Sequence, residues 1–144
     1  MQKMQFSIEI EAPREKVWQT LFDDKTFRDW GSIIDEGQYM EGVLVEGSEV
    51  QFMSSENGLG VTSVIEKLIP HEYIAFKQIV DTMDSGKQER EKEWTGGMES
   101  YSLTEKDGVT SLTVKIDVPP GQEETFGDRL PKALERVKIL AEKK

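Results

Sequence analysis

The sequence predicts an α+β domain in which a curved antiparallel sheet of six to seven strands wraps around one long C-terminal helix. Phe6, Ile8 and Ile10 alternate with polar residues, which is typical of a strand with one buried face. Over residues 123–144, apolar side chains recur at spacings of three and four, which indicates a single amphipathic helix. Six further strand-like runs lie between these two segments. The space between such a sheet and its last helix can hold a small apolar ligand.

Two short helices are predicted directly after the first strand. Pro13 at an early helical position and Glu15 in the first turn favour a helix that runs to about Phe22. A second helix is predicted over residues 24–30, with Gly31 as its end.

The middle of the chain is predicted to form a series of hairpins. Residues 39–45 and 48–53 are predicted to pair about Gly47, and strands are predicted at 59–68 and 73–80. Residues 81–93 are mostly charged, as expected of a solvated hairpin tip. Strands resume at 98–105 and 109–118, joined by a turn that contains Gly108.

Length, composition and charge limit where this protein is expected to act and which partners it is expected to bind. The 144 residues fit one domain, 1–144. The sequence contains no cysteine, and no apolar run is long enough for a secretory signal or a membrane span. A cytoplasmic protein is therefore expected. The formal net charge is −10, and the acidic excess lies before residue 129. Such a body repels nucleic acid and anionic membranes, so neither is an expected partner. The basic segment 129–144 is either a docking patch or, as we favour, a complement to the helix dipole.

The residue types argue against several kinds of catalysis. His71 is the only histidine and follows a proline at a predicted turn, so neither a Ser-His-acid triad nor a histidine metal site is expected. Phosphate-binding and dinucleotide-binding glycine motifs are missing. We therefore expect no cofactor and no metal, and the chain is more readily a binding protein than an enzyme.

Polar residues fall on strand rows that should face the helix. Period two places Gln78 with Phe76, Glu99 with Tyr101, and Ser63 with Ile65. A buried polar group needs a partner, so such residues form internal pairs or fix a ligand. Glu99 is the one weak catalytic candidate, since burial would raise the pKa of its carboxyl group; the alternative is that Glu99 is solvated at a strand edge or bulge.

The predicted ligand-binding cavity combines these polar residues with the apolar rows of the sheet and the last helix. Its predicted lining is Trp30, Phe52, Ile65, Phe76, Gln78, Glu99, Tyr101, Phe126, Leu130 and Leu134.

Several short strings, taken in order, resemble a known superfamily. They are IEIEAPREKVW at residues 8–18, Trp30, EG at 41–42, EGS at 46–48 before Phe52, IP at 69–70 before YIAF at 73–76, and PKALE at 131–135. Together they resemble the START-type helix-grip (SRPBCC) superfamily, and within it the branch similar to the C-terminal domain of activators of a heat-shock chaperone's ATPase.

The resemblance implies a cavity protein that binds a small hydrophobic or amphipathic molecule. Two other functions stay open: an interaction protein that binds a chaperone during the stress response, and a cyclase, dehydratase or hydrolase that uses Glu99. A monomer or weak dimer is expected. No catalytic residue is carried over from the superfamily, because it has no shared catalytic motif.

Overall fold

The computed structural model describes residues 2–56, 58–83, 86–87 and 96–143. Its elements are β1 Gln2–Ile10, α1 Arg14–Phe22, α2 Asp24–Ile34, β2 Gln38–Glu41, β3 Glu49–Ser54, β4 Leu59–Ile69, β5 Tyr73–Met83, β6 Gly86–Lys87, β7 Met98–Lys106, β8 Val109–Val118 and α3 Glu123–Glu142. The sheet order is β1-β8-β7-β5-β4-β3-β2 with every pair antiparallel, and β6 adds to β5. The predicted helix-grip architecture is confirmed. Residues 84–85 and 88–93 of the predicted charged tip lie outside the described residues.

Bulges and turns give the sheet its curvature. The β4–β5 ladder shifts register between Thr62 and Ser63 and again between Ile65 and Lys67. Each shift sets an extra residue of one strand against its partner, which bends and twists the sheet locally. At the β7–β8 turn, Asp107 and Gly108 both have positive φ, +54° and +79°, as a tight hairpin requires. The sheet therefore curls towards the side on which the helices pack.

Two predicted element ends are wrong. Helix α2 continues past Gly31 to Ile34 because Gly31 is a close-packing position within the helix. A Cβ atom there would lie 3.1 Å from Oε1 of Gln38. Strand β2 stops at Glu41, well short of residue 45, because the next residue, Gly42, has φ +124° and turns the chain out of the ladder.

Helix α3 lies against the concave face of the sheet and against both short helices. Its buried side chains are Leu130, Ala133, Leu134, Val137 and Ala141. It begins at Glu123, so Pro131 lies inside the helix.

Two arginines of α3 hold α2 in place. The Arg136 guanidinium donates to both carboxylate oxygens of Asp29, at 2.8 and 2.9 Å, and Arg129 donates to the carbonyl oxygen of Ile34 at 2.8 Å. Neither contact was predicted from the sequence. These basic side chains therefore join two helices of the same chain.

The Asp29–Arg136 pair predicts an acid-dependent contribution to stability. The hydrogen bond from Arg136 lowers the pKa of Asp29 below its usual 3.8. The contribution is therefore present above the usual pKa and is lost as the pH falls through the lower, folded value. We expect Asp29→Asn to lower the Tm by about 2 °C at neutral pH and to match the parent protein in strong acid.

Thermal scans from pH 2 to pH 7 measure this difference. Asp24→Asn is the control, because Asp24 pairs with Arg28 within α2 only. A neutral-pH Tm for Asp29→Asn equal to that of the parent would show that the interhelical pair contributes nothing.

Candidate ligand-binding site

Six aromatic side chains form a closed circuit of ring contacts in the middle of the interior, which we call the aromatic cluster. Neighbouring ring centroids around the circuit lie 5.1 to 6.4 Å apart. Its members are Phe22, Phe27, Trp30, Phe52, Phe76 and Tyr101. Four of the six contacts are edge-on, and contacts of this kind stabilise a core beyond the area they bury. The aromatic cluster thus lies between the sheet and the helices and joins side chains from both.

The two short helices supply half of the aromatic cluster. Phe22 comes from α1, and Phe27 and Trp30 come from the buried face of α2. The indole N–H of Trp30 donates to the carbonyl oxygen of Leu21 at 3.2 Å, so the polar atom of this buried ring is satisfied. Of the three, only Trp30 was predicted to line the cavity.

Ser63 and Gln78 lie opposite each other on the concave face of β4 and β5. They are register partners, and Ser63 also faces Val50 of β3, which is buried. The exposed fraction is 0% for Ser63 and 4% for Gln78. Among the described residues, neither Oγ of Ser63 nor Oε1 of Gln78 has a hydrogen-bond partner. Two unsatisfied polar atoms on one buried face carry a real free-energy cost.

Glu99 lies on the same face, one strand further along. It is opposite Phe76 of β5 and Ile116 of β8, which sets it diagonally from Gln78. The Tyr101 hydroxyl donates to Oε2 of Glu99 at 2.5 Å. We call Ser63, Gln78 and Glu99 the polar trio.

Burial changes the acid–base properties of this pair. Desolvation raises the pKa of Glu99, and the hydrogen bond from Tyr101 opposes part of that rise. The pKa of Tyr101 is raised well above its usual value, first by desolvation and then by the Glu99 charge. A carboxyl group in this setting favours its neutral form, in which it can donate a hydrogen bond as well as accept one.

Three half-buried apolar residues pack against the hydrophobic core on this side of the sheet. Met4 of β1 is the register partner of Ile116, and Val61 of β4 is the partner of Phe52. Phe126, in the first turn of α3, is also half-buried. Neither Met4 nor Val61 was among the predicted site residues, although the alternation that turns Ser63 inward also turns Val61 inward.

The other predicted lining residues lie deeper. Ile65 is the register partner of Phe76, and both are fully buried. Leu130 and Leu134 project from the buried face of α3 into the same core. Among the described residues, the buried atoms without a hydrogen-bond partner therefore belong to the polar trio and not to these apolar side chains.

Among the described residues, no group of three or more His, Asp or Glu side chains is arranged to hold a metal ion. No helix in this part of the chain is long and apolar enough to cross a membrane.

A curled antiparallel sheet that grips a C-terminal helix over a partly polar interior defines a START-type helix-grip domain. The family model for "Activator of Hsp90 ATPase homolog 1-like protein" matches residues 11–140. The chain therefore belongs to this family, within the SRPBCC superfamily, and the resemblance seen in the sequence is confirmed. A search of curated proteins found no match.

Solved structures show the same fold at low sequence identity. Protein CV1439 from Chromobacterium violaceum is 16% identical with a TM-score of 0.73, over 99% of this chain and 98% of that one. The Aha1 dimer from Colwellia psychrerythraea is 19% identical with a TM-score of 0.67, over 98% and 94%. CalU16 from Micromonospora echinospora is 16% identical with a TM-score of 0.65, over 97% and 76%.

Proposed function

We propose that this protein binds a small amphipathic molecule in its interior, with the polar end of the ligand at the polar trio. The observation that carries the proposal is a pair of buried atoms, Oγ of Ser63 and Oε1 of Gln78, that have no hydrogen-bond partner among the described residues. Such atoms are rare in folded proteins because each costs about 1 to 3 kcal/mol. A ligand that forms hydrogen bonds with both of them recovers that cost on binding.

The surroundings of the polar trio suit the apolar part of such a ligand. Phe52 is the register partner of Val61, two residues before Ser63, and Phe76 is the register partner of Ile65, two residues after it. Met4, Val61 and Phe126 are half-buried. Binding sites for small molecules commonly combine apolar walls with a few polar groups that fix orientation. This arrangement supports a ligand-binding role over a purely structural one.

Displacement of the fluorescent probe N-phenyl-1-naphthylamine tests the proposal. We expect saturable binding to the parent protein and displacement by medium-chain amphipathic competitors. Ser63→Leu places a bulky side chain at the polar trio and should weaken probe binding at least about tenfold. Ser102→Leu is the matched control, since Ser102 lies on the opposite face of β7 from Glu99 and Tyr101.

Circular dichroism and thermal scans confirm that each variant is folded. Should Ser63→Leu prove unstable, Ser63→Val introduces a smaller obstruction at the same position. Probe binding that is absent in the parent, or unaffected by substitution of Ser63, would contradict the proposal.

A second candidate is an interaction with a heat-shock chaperone. The description of the family and the fold shared with the Colwellia Aha1 dimer favour it. A pull-down with purified chaperone, followed by an ATPase assay, separates the two candidates. Stimulation of the ATPase by the Ser63→Leu variant as well as by the parent would assign the chaperone role to a surface outside the polar trio. Sedimentation of the chain alone would show whether it also forms a dimer.

A further inference from the structure

We infer that the site selects an uncharged ligand that carries a hydroxyl group, and discriminates against a carboxylate of the same chain length. This inference rests on the proposed function and specifies the chemistry of the ligand's polar end. Three properties of the polar trio lead to it: its hydrogen-bonding pattern, its charge and the lack of a buried cation among the described residues.

The hydrogen-bonding pattern calls for a group that both donates and accepts. Oε1 of Gln78 only accepts, whereas the Ser63 hydroxyl either donates or accepts. Their residues are register partners on the same face of adjacent strands, where side chains stand about 5 Å apart at Cβ. One ligand hydroxyl can therefore donate to Oε1 of Gln78 and accept from Oγ of Ser63. A carboxylate has no proton to donate, so Oε1 of Gln78 would stay unsatisfied.

The charge at the site also opposes an anion. Glu99 lies diagonally from Gln78, and its carboxyl group is desolvated and bonded to Tyr101. A second carboxylate beside it would suffer repulsion from any ionised Glu99, in addition to losing its own hydration.

No described cation is placed to offset that cost. The buried polar and charged residues of the described chain are Thr20, Ser54, Thr62, Ser63, Gln78, Ser100 and Thr110, and none of them is a lysine or arginine. Arg129 and Arg136, the arginines of α3, are engaged with α2 on the outside of the core. Buried anions normally require a cation or several backbone donors. These residues would give an ionised ligand head group neither a cation nor a set of backbone donors.

The test compares 1-octanol with sodium octanoate at pH 8, where octanoate is ionised and the two probes share the same chain length. Isothermal titration calorimetry on the full chain measures both dissociation constants. We expect 1-octanol to bind at least about tenfold more tightly than octanoate.

Substitution of Gln78 identifies the responsible atom. Gln78→Met keeps the length of the side chain but removes the acceptor, and should weaken 1-octanol binding about fivefold while leaving octanoate unchanged. Gln51→Met is the control, because Gln51 lies on the other face of the sheet, where its amide donates to Oγ1 of Thr62. This control should bind both probes as the parent does.

The possible failures can be told apart. Octanoate that binds as tightly as 1-octanol would overturn the inference and leave the proposed function standing. Equal weakening of both probes by Gln78→Met would overturn the assigned role of Oε1. A parent protein that binds neither probe saturably would contradict the proposed function, and the inference with it.

Discussion

Removal of residues 123–144, which include α3, is expected to abolish cooperative unfolding of this protein. Leu130, Leu134 and Val137 are almost fully buried, and each contributes about 2 kcal/mol of apolar burial. The sheet residues that they cover would also become exposed. The combined loss is comparable with the whole stability of a typical domain, about 5 to 15 kcal/mol. The shortened chain should aggregate or form a molten state with an exposed apolar face.

A second truncation provides the control for this experiment. Ending the chain at Glu142 removes only the residues that follow α3 and should leave the unfolding midpoint nearly unchanged. Calorimetry and urea denaturation followed by fluorescence measure both proteins. A chain without residues 123–144 that unfolds cooperatively at the parent midpoint would refute the role given to α3.

Replacement of Glu99 by glutamine is expected to stabilise the protein at neutral pH. Desolvation raises the folded pKa of Glu99 above its usual 4.5, so the native state holds this proton more tightly than the unfolded state does. Stability contributed by the neutral carboxyl group is complete below the unfolded pKa and is lost as the pH rises through the folded pKa. The loss is about 1.4 kcal/mol for each unit by which the pKa is raised.

The Glu99→Gln variant should therefore match the parent at about pH 4 and exceed it at pH 7. Its amide oxygen can still accept the hydrogen bond from Tyr101, which keeps the local contact intact. Glu9→Gln removes an exposed carboxylate from β1 and shows how much of the change follows from net charge alone. Identical stability of the Glu99→Gln variant and the parent at every pH would mean that Glu99 is solvated in the folded protein.

Features that depend on local periodicity were predictable from the sequence. Alternation along β5 and β7 placed Gln78 beside Phe76 and Glu99 beside Tyr101, and the structure has both pairs on the concave face. The apolar spacing of residues 123–144 likewise gave the buried face of α3. Period two and period 3.6 are local properties, so a single sequence carries them.

Features that depend on distant contacts were not predictable. Gly31 looked like a helix end, but its contact with Gln38 of β2 places it inside α2. The pairing of Arg136 with Asp29 joins residues that are 107 positions apart. The structure buries Phe22 and leaves Trp18 half-buried against His71, a difference set by contacts with residues far along the chain.

The arrangement of the polar trio was predictable from the sequence only in part. Alternation suggested that Ser63 and Gln78 face inward, but their direct opposition depends on register shifts within the β4–β5 ladder. Whether their polar atoms find partners depends on the whole interior. A single sequence contains no signal for either property, because both arise from how separate strands align.

Native mass spectrometry of the protein purified from the cells that produce it shows whether a small molecule is bound to the chain. We expect one small organic molecule per chain, uncharged and hydroxyl-bearing, that is released on denaturation and identified by its mass. The Ser63→Leu variant, produced in the same cells, should lack this molecule while remaining folded. A parent protein whose native and denatured masses both equal that of the polypeptide alone would contradict the claim.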